Sequence, residues 1–359
     1  MEADKAGREP IGGAATSQLA APNQRTFDRK LIHISNMYTQ PNVQPRAVLL
    51  TGLAVLAGCG GGSADATAQD PPSIGATQML ADIAALSADS LEGRLVGSRG
   101  NSVAREMIVE RFTRLGLRSF GGSFTTSFPL ERNGVSLTGV NAVGYIEGGS
   151  DPDRYIVITA HYDHLGIRAG EIYNGADDNG SGTAALLALA AYFTEHRPRN
   201  SVIFLAVDAE EGGSTGARAF VSSPPPPVSL ENIAANVNMD MVSHSEDELY
   251  VAGTYHYPFL KPYVDRVGEA AEVTLEFGHD SPDLGDGDWT HASDHAPFHE
   301  AGIPFLYFGV EDHADYHKPT DDFDRINQDF YVKAVTAILR VVLELDGDLD
   351  LVTLERERR

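Results

Sequence analysis

Apolar residues in this chain fall into short runs and helical stripes that alternate along its length. Residues 155–159 and 202–207 are β-branched, short and bounded by polar residues, which predicts buried strands. Residues 183–193, rich in Ala and Leu, open just after Gly180-Ser181-Gly182 and predict a helix between them. This strand–helix–strand unit carries its polar clusters at one end, where open α/β sheets bind ligands. Upstream, the spacing predicts helices over 78–86 and 101–115. In the second, Val103, Met107, Ile108 and Phe112 share a face and Gly116 follows the last turn. Short strands are predicted over 125–130 and 139–146, with a turn-rich link at 91–98. Downstream come a short helix at 214–220, strands at 234–239 and 248–252, and a helix at 257–271. A Gly- and Asp-rich loop at 278–291, a short helix at 295–300, a strand at 303–308 and a closing helix at 328–345 follow. Strands alternating with helices give a three-layer α/β/α sandwich with a mostly parallel mixed sheet.

Composition narrows the partners. The 359 residues carry 27 basic and 51 acidic side chains, a formal net charge of −24. That disfavours nucleic acid and an anionic membrane surface. A single cysteine, Cys59, excludes an intrachain disulfide. Residues 47–58 (AVLLTGLAVLAG) follow Arg46 and are too short to span a bilayer, so they read as a signal-peptide core. The run ends in Leu56-Ala57-Gly58-Cys59, which resembles a bacterial lipoprotein box. It implies a signal peptide over 37–59, a lipid-anchored protein of the bacterial cell envelope, and membrane contact only through that anchor. Residues 1–36 are then either disordered or, with Met37 as the start, untranslated. Residues 60–72 form a flexible tether, and 73–359 form the folded domain.

The candidate chemistry sits at strand ends. His161 and Asp163 form an H-x-D after the first central strand; Glu210 and Glu211 follow the second; Asp240 follows the strand at 234–239. Asp177 and Asp178 lie in a glycine-rich turn, and Tyr316 and His317 follow the last strand. Imidazoles and carboxylates converging without cysteine suit zinc or another borderline divalent metal. Carboxylates so placed repel unless a cation neutralises them. Two metals, each with one His and one carboxylate and sharing a third carboxylate, would do so.

AHYDHLG, NGADDNGSG, DAEEGGSTGA, VNMDMV, SDHAPFHEAGIPFLYF and DYHKPTDD occur in that order between residues 91 and 327. In this the chain resembles the M28 family of zinc metallopeptidases, which includes bacterial aminopeptidases. The stretch 141–158 leaves no room for the protease-associated domain often inserted there. The resemblance implies two zinc ions. His161 and Asp240 would bind one, Glu211 and His317 the other, and Asp178 would bridge them. It makes Glu210 the general base, Tyr316 the oxyanion donor and Asp163 the partner that holds the His161 ring. The implied activity is an exopeptidase, foremost an aminopeptidase acting on peptides with a free N-terminus. A glutaminyl cyclase-like single-zinc acyltransferase and a non-catalytic envelope binding module are the alternatives. His164, His291, His295, His299 and His313 match no ligand position and are read as hydrogen-bonding or surface residues. Asp177 is read as a turn residue, Asp294 and His295 as residues behind the ligands, and Trp289 as a pocket wall. Asp283, Asp286 and Asp288 have spacing that calcium could use.

Overall fold

The structure, a computed structural model, describes residues 72–132 and 134–358. The proposed signal peptide, its lipoprotein box and nearly all of the tether lie outside the described residues.

Among the described residues, ten strands and eight α-helices follow one another, with short 3₁₀ segments and one π-type turn between them. Eight strands form one mixed sheet: β1 (Thr125–Arg132), β2 (Val135–Ile146), β6 (Asn200–Val207), β3 (Asp151–His161), β7 (Ile233–Met239), β10 (Phe305–Gly309), β8 (Glu248–Ala252) and β9 (Thr274–Phe277), in that spatial order. The four central strands β6, β3, β7 and β10 are mutually parallel. Within this sheet, antiparallel pairing is confined to β1·β2, β2·β6 and β10·β8. The expected mostly parallel sheet is therefore present.

Both faces of the sheet are covered, which explains the continuous apolar runs of the central strands. Alternate residues of β3 and β6 go to opposite layers. Ile156, Ile158, Val202 and Phe204 join one core with α1 (Ala76–Leu86), α2 (Arg99–Leu115), α3 (Gly182–Glu195) and α7 (Gln328–Gly347). Tyr155, Val157, Ile203 and Leu205 join the other with α4 (Thr215–Ser222) and α6 (His295–Glu300). Helix α3 is buried on nearly every side because α1 and α2 pack over it. That accounts for its Ala- and Leu-rich sequence without a polar face. A Cβ on Gly182 would come 2.3 Å from the Met239 carbonyl oxygen, so glycine lets α3 start close against β7.

Three expectations are corrected. The helix expected over 257–271 is a 3₁₀ turn at Pro258–Leu260 followed by α5 (Lys261–Gly268). Proline lacks a donor and is tolerated only in a first turn, so Pro258 and Pro262 each restart the helix. The strand expected from 303 begins at Phe305, just after Pro304. A hairpin of β4 (Gly166–Arg168) and β5 (Glu171–Tyr173), edge strand β9 and α8 (Leu349–Glu357) were not anticipated.

Candidate metal centre

The four parallel strands deliver the polar residues to one edge. His161 ends β3, Glu210 and Glu211 follow β6, Asp240 follows β7, and the loop after β10 carries Tyr316 and His317. Asp178 comes from the π-type turn Ala176–Ser181 that opens α3, and its peptide bond to Asn179 is cis. With Trp289, Tyr307 and Tyr316 these residues line a cavity of about 300 Å³.

Asp178 is the centre of the arrangement. Its Oδ1 lies 3.4 Å from His161 Nε2 and its Oδ2 lies 3.1 Å from His317 Nε2. Each imidazole has a second carboxylate: Asp240 Oδ1 is 3.1 Å from His161 Nε2, and Glu211 Oε2 is 3.7 Å from His317 Nε2. Glu210 stands beside the first, with Oε2 3.9 Å from His161 Nε2. Every residue that the sequence assigned to the metals is thus brought together.

The tautomer of His161 follows from its other nitrogen. Nδ1 lies 3.1 Å from the Asp163 carbonyl oxygen, which can only accept, so Nδ1 carries the proton. In the neutral ring Nε2 is then the nitrogen with the lone pair, the form a metal requires. This corrects the role expected of the Asp163 side chain. Its Oδ1 is 3.8 Å from His161 Nδ1 and instead accepts the Glu210 backbone N–H at 3.0 Å. Asp163 orients His161 through its main chain and Glu210 through its carboxylate.

Asp240 is fixed by polar residues inside the strands. Asn236 donates to the Thr159 hydroxyl (3.0 Å), Thr159 to Asn238 (2.6 Å), Asn238 to Ser293 (2.9 Å), and Ser293 to Asp240 Oδ2 (2.7 Å). The other oxygen of Asp240 stays free for His161. None of these four was singled out from the sequence, although Asn236 and Asn238, two apart in an apolar run, were a legible signal.

The electrostatics are those of a site short of positive charge. Burial pushes the Glu210 carboxyl well up, and Asp294, Asp240 and Asp163 add to the shift against His161. Burial also raises Glu211 and Asp163. Burial raises Asp294 to about 7. Burial opposes ionisation of Asp240, but the charge and hydrogen bond of His161 outweigh it and leave Asp240 lowered. His161 is raised well above its ordinary value because Asp240 and Glu210 overcome its burial. His317 is raised first by its hydrogen bond to Asp178. Buried Asp163 Oδ2, Glu211 Oε1 and both oxygens of Asp294 have no hydrogen-bond partner. Buried carboxylates without donors are costly, and a divalent cation is the partner that this donor set fits.

Other assignments shift. Asp177 is fully buried: Oδ1 accepts from the Ser243 N–H and hydroxyl, both at 2.7 Å, and Oδ2 faces His313 Nε2 at 3.0 Å. His313, expected at the surface or in a simple hydrogen bond, ties the Tyr316–His317 loop to the Asp178 turn. His164 is also fully buried, beside Glu211. His295 Nε2 donates to the Trp289 carbonyl oxygen, which can only accept (2.8 Å). Trp289 does line the cavity, stacked on His279 at 3.7 Å. Asp288 Oδ1 accepts from Thr290, and Asp283 and Asp286 join none of the metal-capable groups among the described residues.

Known proteins resemble this chain in both sequence and fold. The family model described as Peptidase family M28 matches residues 141–342. Aminopeptidase YwaD of Bacillus subtilis is 31% identical over 196 residues, 53% of this chain and 40% of that protein. Leupeptin-inactivating enzyme 1 of Streptomyces exfoliatus is 30% identical over 273 residues, 74% of this chain and 56% of that protein. The chain thus spans about half the length of the curated relatives it matches. Among solved structures, the zinc aminopeptidase BSAP from Bacillus subtilis superposes with a TM-score of 0.60 at 18% identity, covering 76% of this chain and 96% of that one. A glutaminyl cyclase from Bacteroides thetaiotaomicron gives 0.61 at 16%, covering 76% and 99%. These likenesses establish the fold as that of the zinc exopeptidases. The chain belongs to peptidase family M28.

Proposed function

We propose that this chain is a di-zinc aminopeptidase that releases residues from peptides with a free N-terminus. The supporting observation is Asp178, whose two oxygens face two different imidazoles, each with its own further carboxylate. His161 and Asp240 would hold one zinc, Glu211 and His317 the other, with Asp178 shared between them. Bound there, the pair supplies Lewis acidity toward a peptide carbonyl and acidifies water.

The remaining work falls to the chain's own groups. Glu210 has a proton affinity raised by burial, which suits a general base at neutral pH. It takes a proton from the attacking water and delivers it to the leaving amine. Asp163 holds Glu210 in place through the backbone N–H. Burial and nearby carboxylates keep the Tyr316 phenol protonated, so it can donate a hydrogen bond to the oxygen that gains charge. An acidic cavity also favours the positive α-ammonium of a peptide N-terminus over a C-terminal carboxylate.

Metal analysis of the purified protein, run beside free and N-terminally blocked peptides, tests this reading. Two zinc ions per chain and cleavage restricted to free N-termini are expected. One ion with cyclisation of N-terminal glutamine would move the assignment to a glutaminyl cyclase-like acyltransferase. No zinc uptake would leave a binding module. From residues 47–59 we further propose a lipid-anchored protein of the bacterial envelope, which metabolic labelling of Cys59 with a fatty-acid analogue would test.

A further inference from the structure

His164 is the buried imidazole that the dinuclear arrangement leaves without a task. It follows Asp163 in the segment between β3 and β4, and none of its surface is exposed. Neither ring nitrogen makes a hydrogen bond. An unpaired polar group in such a place costs about 1–3 kcal/mol, so its presence calls for a partner.

The ring's neighbours indicate which partner. His164 Nδ1 lies 2.7 Å from Glu211 Oε1 and 3.7 Å from Asp178 Oδ2. Glu211 Oε1 is itself buried without a hydrogen bond, so the 2.7 Å approach lies off the direction in which the ring could donate. His317 faces the same two carboxylates, and the two imidazole rings are 6.0 Å apart between centroids. With no hydrogen bond at either nitrogen, the ring has a lone pair to offer a cation. The turn is shaped around it as well: Gly175 has φ +58°, and a Cβ there would come 2.5 Å from His164 Cδ2.

We propose that His164 is a ligand of the second zinc, through Nδ1, beside Asp178, Glu211 and His317. The proposal rests on the dinuclear reading above. It makes the two ions unequal. The second is enclosed by four protein donors, as structural zinc sites are, whereas the first has His161, Asp240 and the shared Asp178 and keeps a position open. The first ion is then the one that meets substrate, and the second is the one retained longest.

Cobalt substitution followed by proton NMR tests this directly. Each cobalt-bound imidazole contributes one exchangeable, strongly shifted N–H resonance. Three such resonances are expected in the wild-type protein and two in His164→Gln. Chelator competition should show the affinity of one of the two ions falling by at least about tenfold in the variant. Two resonances in the wild type, from His161 and His317 alone, would overturn the proposal while leaving the dinuclear centre intact. Failure to take up cobalt would remove both. The wild-type count decides the question even if the variant does not fold.

Discussion

The glycine-rich turn at 174–182 has two sides, and they are built on opposite principles. Its back is held by a fully buried cation. Arg94 donates to the carbonyl oxygens of Tyr162 (2.8 Å), Leu86 (2.6 Å), Gly175 (2.9 Å) and Asn174. Asp321 completes the grip, accepting the N–H groups of Asp177 (2.9 Å) and Asp178 (3.1 Å). The front has the reverse balance: carboxylates and imidazole lone pairs converge there and several buried oxygens lack any donor. A fully paired polar network rigidifies, whereas an unpaired one is costly. The turn can therefore present Asp178 in an unfavourable apo environment because its rear bonding fixes the backbone. Stability resides behind the turn and chemistry in front of it.

Substitution on the front should separate the two sides most clearly. Glu210→Gln keeps the shape of the side chain and removes the base. Turnover should fall by about 10²–10⁴-fold, the usual contribution of a positioned base. Zinc content should be unchanged, and the melting temperature of the metal-free protein should hold or rise, because a buried carboxylate raised by burial has been removed. Turnover within a few-fold of wild type would reject Glu210 as the base. A concomitant loss of zinc would show that it is a ligand instead.

On the back the expected effect is on folding. Arg94→Met retains much of the aliphatic volume but strips donors from four carbonyl oxygens and a positive charge from behind the acidic cluster. Removing one partner of a buried charged network costs about 3–5 kcal/mol. Denaturant unfolding should record that loss. The zinc-loaded protein that still folds should retain the pH profile of the wild type, since Arg94 does not face the cavity. A front-type outcome, with stability kept and turnover lost, would dissolve the distinction between the two sides.

The front was legible in the sequence and the back was not, for a physical reason. A ligand set sits where apolar periodicity stops, so His161, Glu210, Glu211 and Asp240 are flagged by the strands they terminate. The order of the central elements was legible from the same runs, since β3, β6 and β7 are buried on both faces. Arg94 lies in Leu-Glu-Gly-Arg, a stretch that reads as an ordinary turn, and its acceptors are main-chain carbonyls that carry no sequence signature. His164 was hidden in the same way: a histidine one residue past an H-x-D reveals its burial only once the loop is folded over Gly175. At the chain's periphery, β9 is a four-residue edge strand and α8 presents only Leu349 and Val352 as buried residues, too little pattern for either to announce itself.

Metal removal provides the smallest effect and the sharpest measure of the front's imbalance. In the metal-free protein Glu210 and Glu211 are raised above their ordinary values, chiefly by burial, and His161 and His317 are raised by their carboxylate partners. A raised folded-state pKa means that the folded protein binds more protons than the unfolded one. For the two glutamates, stability is lost as pH rises from the ordinary glutamate range through their raised values. For the two histidines, the stabilisation is complete below about pH 6.5 and is lost as pH climbs through theirs. Asp240, lowered, acts the other way, with a contribution present above the ordinary aspartate range and lost only in acid. Asp163 and Asp294, raised by burial, act with the glutamates and histidines. His164 and His295, lowered by burial, act with Asp240 but only in acid. The metal-free protein therefore loses stability as pH rises from mildly acidic to mildly alkaline. Zinc, binding the deprotonated ligands, should reverse that slope and add about 2.7 kcal/mol at a free concentration one hundred times its Kd. Melting curves in chelator and in buffered zinc, taken across that range, measure both terms. A metal-free protein whose melting temperature climbs with pH would mean that the front is already neutralised by the chain itself, and the contrast with the Arg94 side would fail.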